Sequence, residues 1–460
     1  MNNDMIEFLA CPENGEALVE AEDGLARSNG TKYPVRFGVP ILVPGVQVEQ
    51  NDYAISDAFL DDMIAIAENP ARAENRDELA DAFRCHVNFA DVWLNSEASM
   101  FVNRLNGQSD QVRPPYKRDE SVPVEPEKPH RSGKVEMTPL VAPKAAHAGW
   151  QLTLNMSIRN DTDLTLPVTG RDAANLHASI RTEPDSRLAK FLPFGRSRSL
   201  RGQRTDLLVD LAPGRSITQP IKLTMPETPG TVDYVVTLER KGRVLARTQQ
   251  SITLVTGQDP LETGWGDSGE IRDYNTDHLH AFEVMTQWLD AYAKGEESVL
   301  LKLGGSFSPM THVWPGRRFN MDIDAHGMFS HSLLRAPDVM NPDRFMDIIG
   351  DGMRPPFRDG VLDAVAMYAT FHHFPDPVRL LRGFRPKLAP NGIVMLFCEP
   401  VGHVFADSGA TEYVEELERG AFEQSFMYWE YAALADAAGY DVIDTANDMG
   451  SAKIALRPKA

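Results

Sequence analysis

The sequence predicts a multidomain fold in which an all-β region precedes an α/β domain. From residue 135 to about residue 257, short stretches alternate apolar and polar residues between turns rich in glycine and proline, which is typical of a β-sandwich. From about residue 261 onward, apolar runs alternate with helical segments, which is typical of a parallel sheet covered by helices. A length of 460 residues allows about two to four domains.

Composition excludes several classes of function. The net charge is −20, so we expect the chain to repel phosphate backbones and not to bind nucleic acid. The three cysteines Cys11, Cys85 and Cys398 are far apart, which fits a reducing cytoplasm rather than a disulfide framework. No apolar run approaches the ~18–20 residues that span a bilayer, and the N-terminus lacks the basic region of a signal peptide. We therefore expect a cytoplasmic protein without a membrane span.

The region before the β-sandwich divides into three parts. Residues 1–46 contain short strands and turns, closing with KYPVRFGVPILVPG. Residues 51–105 place apolar side chains near helical spacing and are predicted to be helical. Residues 106–134 hold prolines among charges and few apolar residues, so we expect a disordered linker.

The all-β region, residues 135–257, contains alternating stretches such as WQLTLNMSIRN and VDYVVTLERKGRVLA. The second includes Lys241-Gly242, which predicts a hairpin turn. Residues 190–204 form a strongly basic stretch in an acidic protein; they are either a surface loop for an anionic partner or simply a solvated loop. Trp150, Phe191 and Phe194 are candidates to stack on sugar, although core packing explains such residues equally well.

The α/β region, residues 261–460, contains four apolar runs of strand length: SVLLKLGG, RRFNMDID, VLDAVAMY and GIVMLFCEP. The last two flank DPVRLLRGFRPKLAPNG, an amphipathic helix closed by a turn. From Gly350 to His373 the chain reads Gly-Asp, a loop with Pro-Pro-Phe, then Leu-Asp-Ala-Val and a histidine pair. These residues resemble the class I S-adenosylmethionine-dependent methyltransferases, from Val299 to Val442. The resemblance implies a Rossmann-like domain with S-adenosyl-L-methionine as cofactor.

Carboxylates at strand ends are the candidate cofactor ligands. In such a domain the ligand lies across the carboxyl ends of the parallel strands. The resemblance implies that Asp322, with Asp324 as the alternative, accepts the ribose hydroxyls and that Asp351 accepts the adenine amino group. Gly352 and Met353 would line the ring. The alternative for either carboxylate is a cap on the following helix.

The first loop departs from the family pattern, which is an acidic residue, an apolar residue and then Gly-x-Gly-x-Gly. Gly304 and Gly305 are candidate cofactor-binding residues. Ser306 and Ser308 replace the second and third glycines of the pattern, and Lys302 stands at the acidic place. Since the amino group and the sulfonium of the cofactor are cationic, Lys302 opposes binding unless a nearby acid pairs with it.

The candidate catalytic residues are His373 and His372, which follow the fourth strand on the acceptor side in the family. An imidazole suits removal of a proton from an acceptor hydroxyl. The alternative is that one ring packs on the sheet and the other is solvated.

The N-terminal unit resembles a small zinc-ribbon-like family whose eukaryotic members activate methyltransferases. Zinc-binding members carry two Cys pairs, but only Cys11 stands here, with Asn14, Ala26 and Asn29 at the other places. One thiolate does not hold a structural zinc, so we expect a degenerate ribbon without metal. The expected role is docking, on the rest of this chain or on a protein partner.

The all-β region resembles the immunoglobulin-like sandwich of O-antigen exporters, which bind saccharide or mediate assembly. The combination of such a sandwich with a methyltransferase domain predicts a role in polysaccharide biosynthesis, with methyl transfer to a sugar, a glycan or a related small acceptor. The alternative is a catalytically inactive methyltransferase fold that serves as a scaffold or binding protein in the same machinery. The degraded first loop favours the scaffold, whereas Asp351 and the histidine pair favour activity.

Overall fold

The fold is taken from a computed structural model. It describes residues 3–21, 24–28, 30, 32–36, 38–43, 133–149, 151–170, 172–181, 199–200, 204–256, 274–304, 314, 316–323, 328, 344–405, 411, 413–414, 417, 423–447 and 451–460. The predicted helical segment 51–105, the basic stretch and its two phenylalanines, and all of the predicted linker except residues 133–134 lie outside these residues, as does Trp150.

Two compact units divide the chain, and each is formed by separate segments. The α/β unit comprises residues 1–122, 270–400 and 438–460, and the β unit comprises residues 123–269 and 401–437. Residues 401–437 thus belong with the β strands, although the sequence pattern grouped them with the α/β domain.

The N-terminal part of the α/β unit forms a short antiparallel meander. A one-turn helix precedes four strands, β1 pairing with β2, β2 with β3 and β3 with β4. The elements are α1 (Asn3–Ile6), β1 (Val19–Ala21), β2 (Gly24–Ala26), β3 (Lys32–Arg36) and β4 (Val39–Leu42).

The β unit consists of two sheets that share one hydrophobic core. The strand order is β10-β8-β12-β13-β6 in one sheet, with β9 beside β8, and β11-β7-β5 in the other. Whether the arrangement is the immunoglobulin-like one remains a prediction. The strands are β5 (Val135–Pro139), β6 (Ala145–His147), β7 (Gln151–Asn160), β8 (Ala174–Arg181), β9 (Ser199–Leu200), β10 (Arg204–Asp206), β11 (Ser216–Thr224), β12 (Gly230–Arg240) and β13 (Arg243–Val255).

The predicted hairpin turn at Lys241-Gly242 is confirmed. It joins β12 to β13, whose terminal residues Arg240 and Arg243 are paired. Both turn residues have positive φ, 51° and 70°, as a two-residue turn that matches strand twist requires.

Buried polar side chains attach residues 401–437 to β7 and β11 within the β unit. The Asn155 amide group donates to both carboxylate oxygens of Glu430 at 2.9 Å, and the Asn155 backbone N–H donates to one of them at 3.3 Å. Thr218 donates to the side chain of Gln424 at 3.1 Å. Burial raises the pKa of Glu430 to about 7.

The remaining elements of the α/β unit alternate as the sequence predicts. Helix α2 buries Ala281, Met285, Trp288 and Leu289 on one face, which is the spacing of an amphipathic helix. Helix α3 starts with Asp376 as its cap, whose carboxylate accepts from the Arg379 N–H. The elements are α2 (Tyr274–Tyr292), β14 (Leu300–Leu303), β15 (Arg318–Asp322), β16 (Phe345–Gly350), β17 (Leu362–Tyr368), α3 (Pro377–Phe384), β18 (Leu388–Pro400), α4 (Tyr428–Ala438), β19 (Tyr440–Thr445) and β20 (Ser451–Pro458), with most of α4 lying in the β unit.

One sheet unites the α/β unit. Its described strands follow the order β1-β2-β3-β4-β16-β15-β14-β17-β18-β20-β19. The pairs from β16 to β18 are parallel, and β20 is antiparallel to both neighbours. The chain moves outward from β14 to β16 and returns to β17 on the other side of β14. This reversal is a topological switch point, where ligands bind in open α/β sheets.

The N-terminal meander extends this sheet within the same chain. Strand β4 pairs in parallel with β16, with Ile41 opposite Ile349 and Leu42 opposite Gly350. Cys11 is buried, and its Sγ lies 3.0 Å from the Tyr33 hydroxyl. None of the described helices combines the length and the hydropathy that crossing a bilayer requires.

Candidate functional site

The candidate residues follow the carboxyl ends of four parallel strands. Gly304 follows β14, Asp322 ends β15, Asp351 follows β16 and the histidine pair follows β17. The predicted positions of Asp322 and Asp351 at strand ends are thereby confirmed. Because parallel strands end at one edge of a sheet, these residues share the edge at which the switch point lies.

Gly304 is fixed by packing. Its φ is +78°, and a Cβ at this position would lie 1.9 Å from Cγ2 of Thr370. Only glycine therefore fits, because Thr370, two residues after the end of β17, packs against Gly304. Gly305, Ser306 and Ser308 lie outside the described residues, as does Asp324.

Lys302 lies beneath this loop as a fully buried amine. Its side chain is 0% exposed, and Nζ donates to the Gly304 carbonyl at 2.7 Å and to Asn320 Oδ1 at 3.4 Å. Burial lowers the pKa of Lys302 to about 7, although Asp322 and Asp347 act in the opposite direction. The two carboxylates attract the charged form of the amine, but the described hydrogen bonds of Nζ go to a carbonyl and an amide oxygen, so pairing of Lys302 with an acid stays a prediction.

A polar row crosses three strands at the level of Lys302. Lys302 pairs with Asn320 in the sheet register, and Asn320 pairs with Asp347. The Asn320 amide group donates to the Asp347 carboxylate at 3.0 Å. Sequence reasoning missed Asn320 and Asp347; the available signal was a polar residue inside each of two apolar runs, FNMD and FMDII.

Asp351 begins a turn as well as standing at a strand end. One carboxylate oxygen accepts from the Met353 N–H at 2.8 Å, which is the capping role that the sequence left open. The second oxygen of a carboxylate can still accept from a ligand. Gly352 is buried, and a Cβ there would lie 2.8 Å from the Phe374 ring, so the turn packs closely on the loop that carries the histidines.

The N-terminal segment braces the chain that follows this turn. The Ala10 N–H donates to the Pro356 carbonyl at 3.0 Å, and the Arg358 N–H donates to the Phe8 carbonyl at 2.9 Å. The ring of Phe8 lies 5.7 Å from that of Phe319 on β15. The residues after Asp351 are therefore held by the N-terminal meander.

Glu399 organises the histidine pair. It is 0% exposed, and its carboxylate accepts from the backbone N–H groups of Thr370, Phe371 and His372 at 2.9, 2.8 and 3.3 Å. The His372 ring nitrogen Nδ1 lies 2.8 Å from the same carboxylate. Since a carboxylate only accepts, Nδ1 carries the proton and Nε2 is the basic nitrogen.

The two histidines differ in their surroundings. His372 is buried, whereas His373 is exposed, and their ring centroids are 4.1 Å apart. Ala369 and Cys398, which precede Thr370 and Glu399, have φ of 44° and 53°. Strained backbone of this kind often accompanies functional sites.

The nucleoside end of S-adenosylmethionine fits this edge. Asp322 is half-buried at the end of β15, and Asp351 follows the neighbouring strand, so two carboxylates can accept hydroxyl and amino groups of a ligand. Lys302 stands two residues before Gly304, where the family pattern has an acid. The carboxylates therefore suit adenosine, whereas a charged Lys302 would oppose the cationic end of the cofactor.

Comparison with known proteins identifies the domain. Residues 317–396 match a protein family described as a methyltransferase domain. Among curated proteins, none matches the chain significantly.

Several solved structures are similar. The mitomycin 7-O-methyltransferase MmcR is 19% identical with a TM-score of 0.31, over 40% of this chain and 54% of that one. A putative sarcosine dimethylglycine methyltransferase from Galdieria sulphuraria is 17% identical with a TM-score of 0.32, over 38% of this chain and 66% of that one. A structure described as the Haloferax volcanii Trm112 methyltransferase activator with a putative methyltransferase is 14% identical, covering 42% of this chain and all of the matched one, with a TM-score of 0.30. The chain thus spans about half to two thirds of the first two structures.

The family match places a methyltransferase domain in the α/β unit. The prediction of a methyltransferase domain in this part of the chain is confirmed, while the use of S-adenosylmethionine belongs to the proposed function. The match assigns neither an acceptor nor the residues that act.

Proposed function

We propose that the chain transfers the methyl group of S-adenosylmethionine to a hydroxyl group of a small acceptor, a sugar or a related glycan unit. The observation that carries this proposal is the arrangement at the carboxyl edge of the sheet. Carboxylates follow β15 and β16 on one side of the switch point, and a histidine pair held by Glu399 follows β17 on the other.

The carboxylates would hold the adenosine part of the cofactor. Asp322 would accept ribose hydroxyl groups, and the second oxygen of Asp351 would accept the adenine amino group. Gly304, Gly352 and Met353 would line the ligand with backbone and small surfaces. The cofactor supplies an electrophilic methyl group, so alignment of the acceptor provides most of the acceleration.

The histidines would remove the acceptor proton. The contact of Glu399 with Nδ1 supports His372 as the base, because it leaves Nε2 with a lone pair. The exposure of His373 supports a part in contacting the acceptor. The two rings are close enough to work on the same substrate hydroxyl.

The choice of a sugar acceptor rests on the β unit. A unit of two β-sheets suits a module that binds a ligand or mediates assembly. The occurrence of such a unit and a methyltransferase domain in one chain favours polysaccharide biosynthesis. A cytoplasmic setting and a protein partner for the N-terminal meander or the β unit belong to the same proposal. The net charge of −20 disfavours RNA as the acceptor.

Lys302 favours a second candidate function. A buried amine at the acidic place of the first loop opposes a cationic cofactor whenever it is protonated, and Thr370 packs against Gly304. Both observations fit a methyltransferase fold retained as a scaffold or binding protein.

Calorimetric titration with S-adenosylmethionine separates the two candidates. We expect binding by the native chain and at least about tenfold weaker binding by Asp322→Asn and Asp351→Asn, since each variant loses a charged acceptor. Asp351→Asn keeps an oxygen for the Met353 N–H and so preserves the turn. Asp359→Asn, an exposed carboxylate paired with Lys387, is the matched control and should bind normally.

Transfer is then tested with methyl-labelled cofactor and a set of sugar acceptors. Label on a sugar hydroxyl, lost in His372→Ala, would support the proposed reaction. If the native chain gives no heat at millimolar cofactor, the scaffold replaces the enzyme as the function of this fold.

A further inference from the structure

Lys302 places an ionisable amine directly under the first loop of the cofactor site. Nζ lies 2.7 Å from the Gly304 carbonyl and 3.4 Å from Asn320 Oδ1, and the side chain is 0% exposed. Gly304 itself cannot shift toward β17, because Thr370 packs against it. Any charge on Lys302 therefore stays close to Gly304 and is screened little by solvent.

The charged groups around Lys302 come from the two strands on one side. Strand β15 contributes Asp322, and strand β16 contributes Asp347, which Asn320 ties to the same row. On the other side, β17 places the apolar residue Ala366 in register with Lys302. Compared with the acid that the family pattern has here, the lysine changes the local charge by up to two units.

Methyl transfer changes the charge of the cofactor. The bond between sulfur and the methyl carbon breaks, and its electron pair stays on sulfur. The methyl carbon bonds to the acceptor oxygen, whose proton passes to a base. The donor is thereby converted from a cationic sulfonium to a neutral thioether, while its amino group, carboxylate and adenosine stay the same.

Resting on the proposed function, we propose that Lys302 is a specificity-determining residue that disfavours the sulfonium donor relative to the neutral thioether, S-adenosylhomocysteine. The fixed amine raises the free energy of the cation more than that of the thioether. Transfer relieves this repulsion, so the product is held in preference to the donor. The site is then controlled by the ratio of thioether to sulfonium.

The test is calorimetric titration of the full chain with each ligand, expressed as the ratio of the two dissociation constants. For the native chain near pH 6 we expect the thioether to bind at least about tenfold more tightly than the sulfonium. The ratio should fall near pH 9, because burial lowers the pKa of Lys302 to about 7 and the amine is then neutral. The sulfonium lowers the pKa of the amino group in its own molecule, so this titration differs between the two ligands. It is common to the native chain and its variants, so the effect of Lys302 is measured as the difference between their ratios.

Two variants isolate the lysine. Lys302→Met removes the charge with little change in volume, and its ratio should be smaller and should vary less with pH. The variant retains the histidine pair, so a pH dependence that remains in it belongs to groups other than Lys302. Lys32→Met, on the exposed surface of β3, is the matched control and should behave as the native chain.

Three results decide the matter. A ratio that is the same in the native chain and Lys302→Met at every pH overturns the role of Lys302 and leaves the proposed function intact. Binding of neither ligand by the native chain overturns both. If Lys302→Met fails to fold, as its circular dichroism would show, Lys302→Gln takes its place in the same comparison, and a ratio equal to that of the native chain at every pH again overturns the inference.

Discussion

Glu430 is a buried acid of the β unit, and burial of its side chain makes the stability of the unit depend on pH. Burial raises its pKa from 4.5 to about 7, although the N–H groups of Met427 and Asn155 favour the ionised form. The folded state thus binds the proton more tightly than the unfolded state. The resulting stabilisation is complete below the unfolded pKa and is lost as the pH rises through the folded pKa. The shift of about 2.5 units corresponds to about 3 kcal/mol.

Substitution Glu430→Gln removes the ionisation while keeping the shape. Relative to this variant, the native chain should lose about 3 kcal/mol of unfolding free energy between about pH 4 and about pH 8. The glutamine amide also faces N–H donors from Asn155 and Met427, which costs about 1–3 kcal/mol at every pH. The prediction therefore concerns how the difference in unfolding free energy between the native chain and Glu430→Gln changes with pH, and not its value at one pH.

Urea unfolding followed by tryptophan fluorescence measures this difference. Trp429 packs against the hydrophobic core of the β unit and reports its unfolding, while the buried Trp288 and Trp314 add a signal from the α/β unit. Glu227→Gln, at an exposed position of the same unit, is the control and should show no such trend. A difference between native and Glu430→Gln chains that stays constant within about 0.5 kcal/mol over the pH range would refute the reasoning.

Three further predictions concern the α/β unit. In Glu399→Gln, the Thr370 amide should exchange with solvent at least about tenfold faster, because one carboxylate acceptor is lost; unchanged exchange by NMR would contradict the anchoring role. Lys453→Met should lower the unfolding free energy by about 3–5 kcal/mol, since it leaves the buried Asp277 carboxylate, now 2.5 Å from the amine, without its counter-charge; a loss below about 1 kcal/mol in thermal unfolding would argue against this. Leu42→Asp buries a charge between β4 and β16, so limited proteolysis should cut the N-terminal meander first; equal resistance to that of the native chain would speak against detachment.

Local patterns in the sequence predicted much of the site. The run RRFNMDID becomes β15 ending at Asp322, and Gly350 ends β16 directly before Asp351, because apolar runs and the polar residues that end them are neighbours in the chain. The turn at Lys241-Gly242 follows for the same reason. The place of a residue at a strand end was therefore predictable, while its role remains a proposal.

Partners that are distant in the chain were not predictable. The row Lys302, Asn320 and Asp347 exists only because three strands pair in one register, and no local pattern fixes that register. Glu399 lies near the end of the apolar run GIVMLFCEP, and nothing in that run indicates that its carboxylate accepts hydrogen bonds from three backbone N–H groups. Backbone N–H groups do not depend on which side chains a loop carries, so the sequence could not predict that Glu399 binds them. This anchoring role became visible only in the fold.

The pairing of β4 with β16 also bears on how the chain folds during synthesis. Leu42 pairs with Gly350, so the strands of the N-terminal meander wait for a partner made about 300 residues later. At about 5–20 residues per second this delay lasts on the order of 15–60 s. Both compact units are assembled from separated segments, so neither can be completed before most of the chain exists. The nascent N-terminal strands carry an unpaired edge throughout that interval, which is the period when shielding by a chaperone matters most.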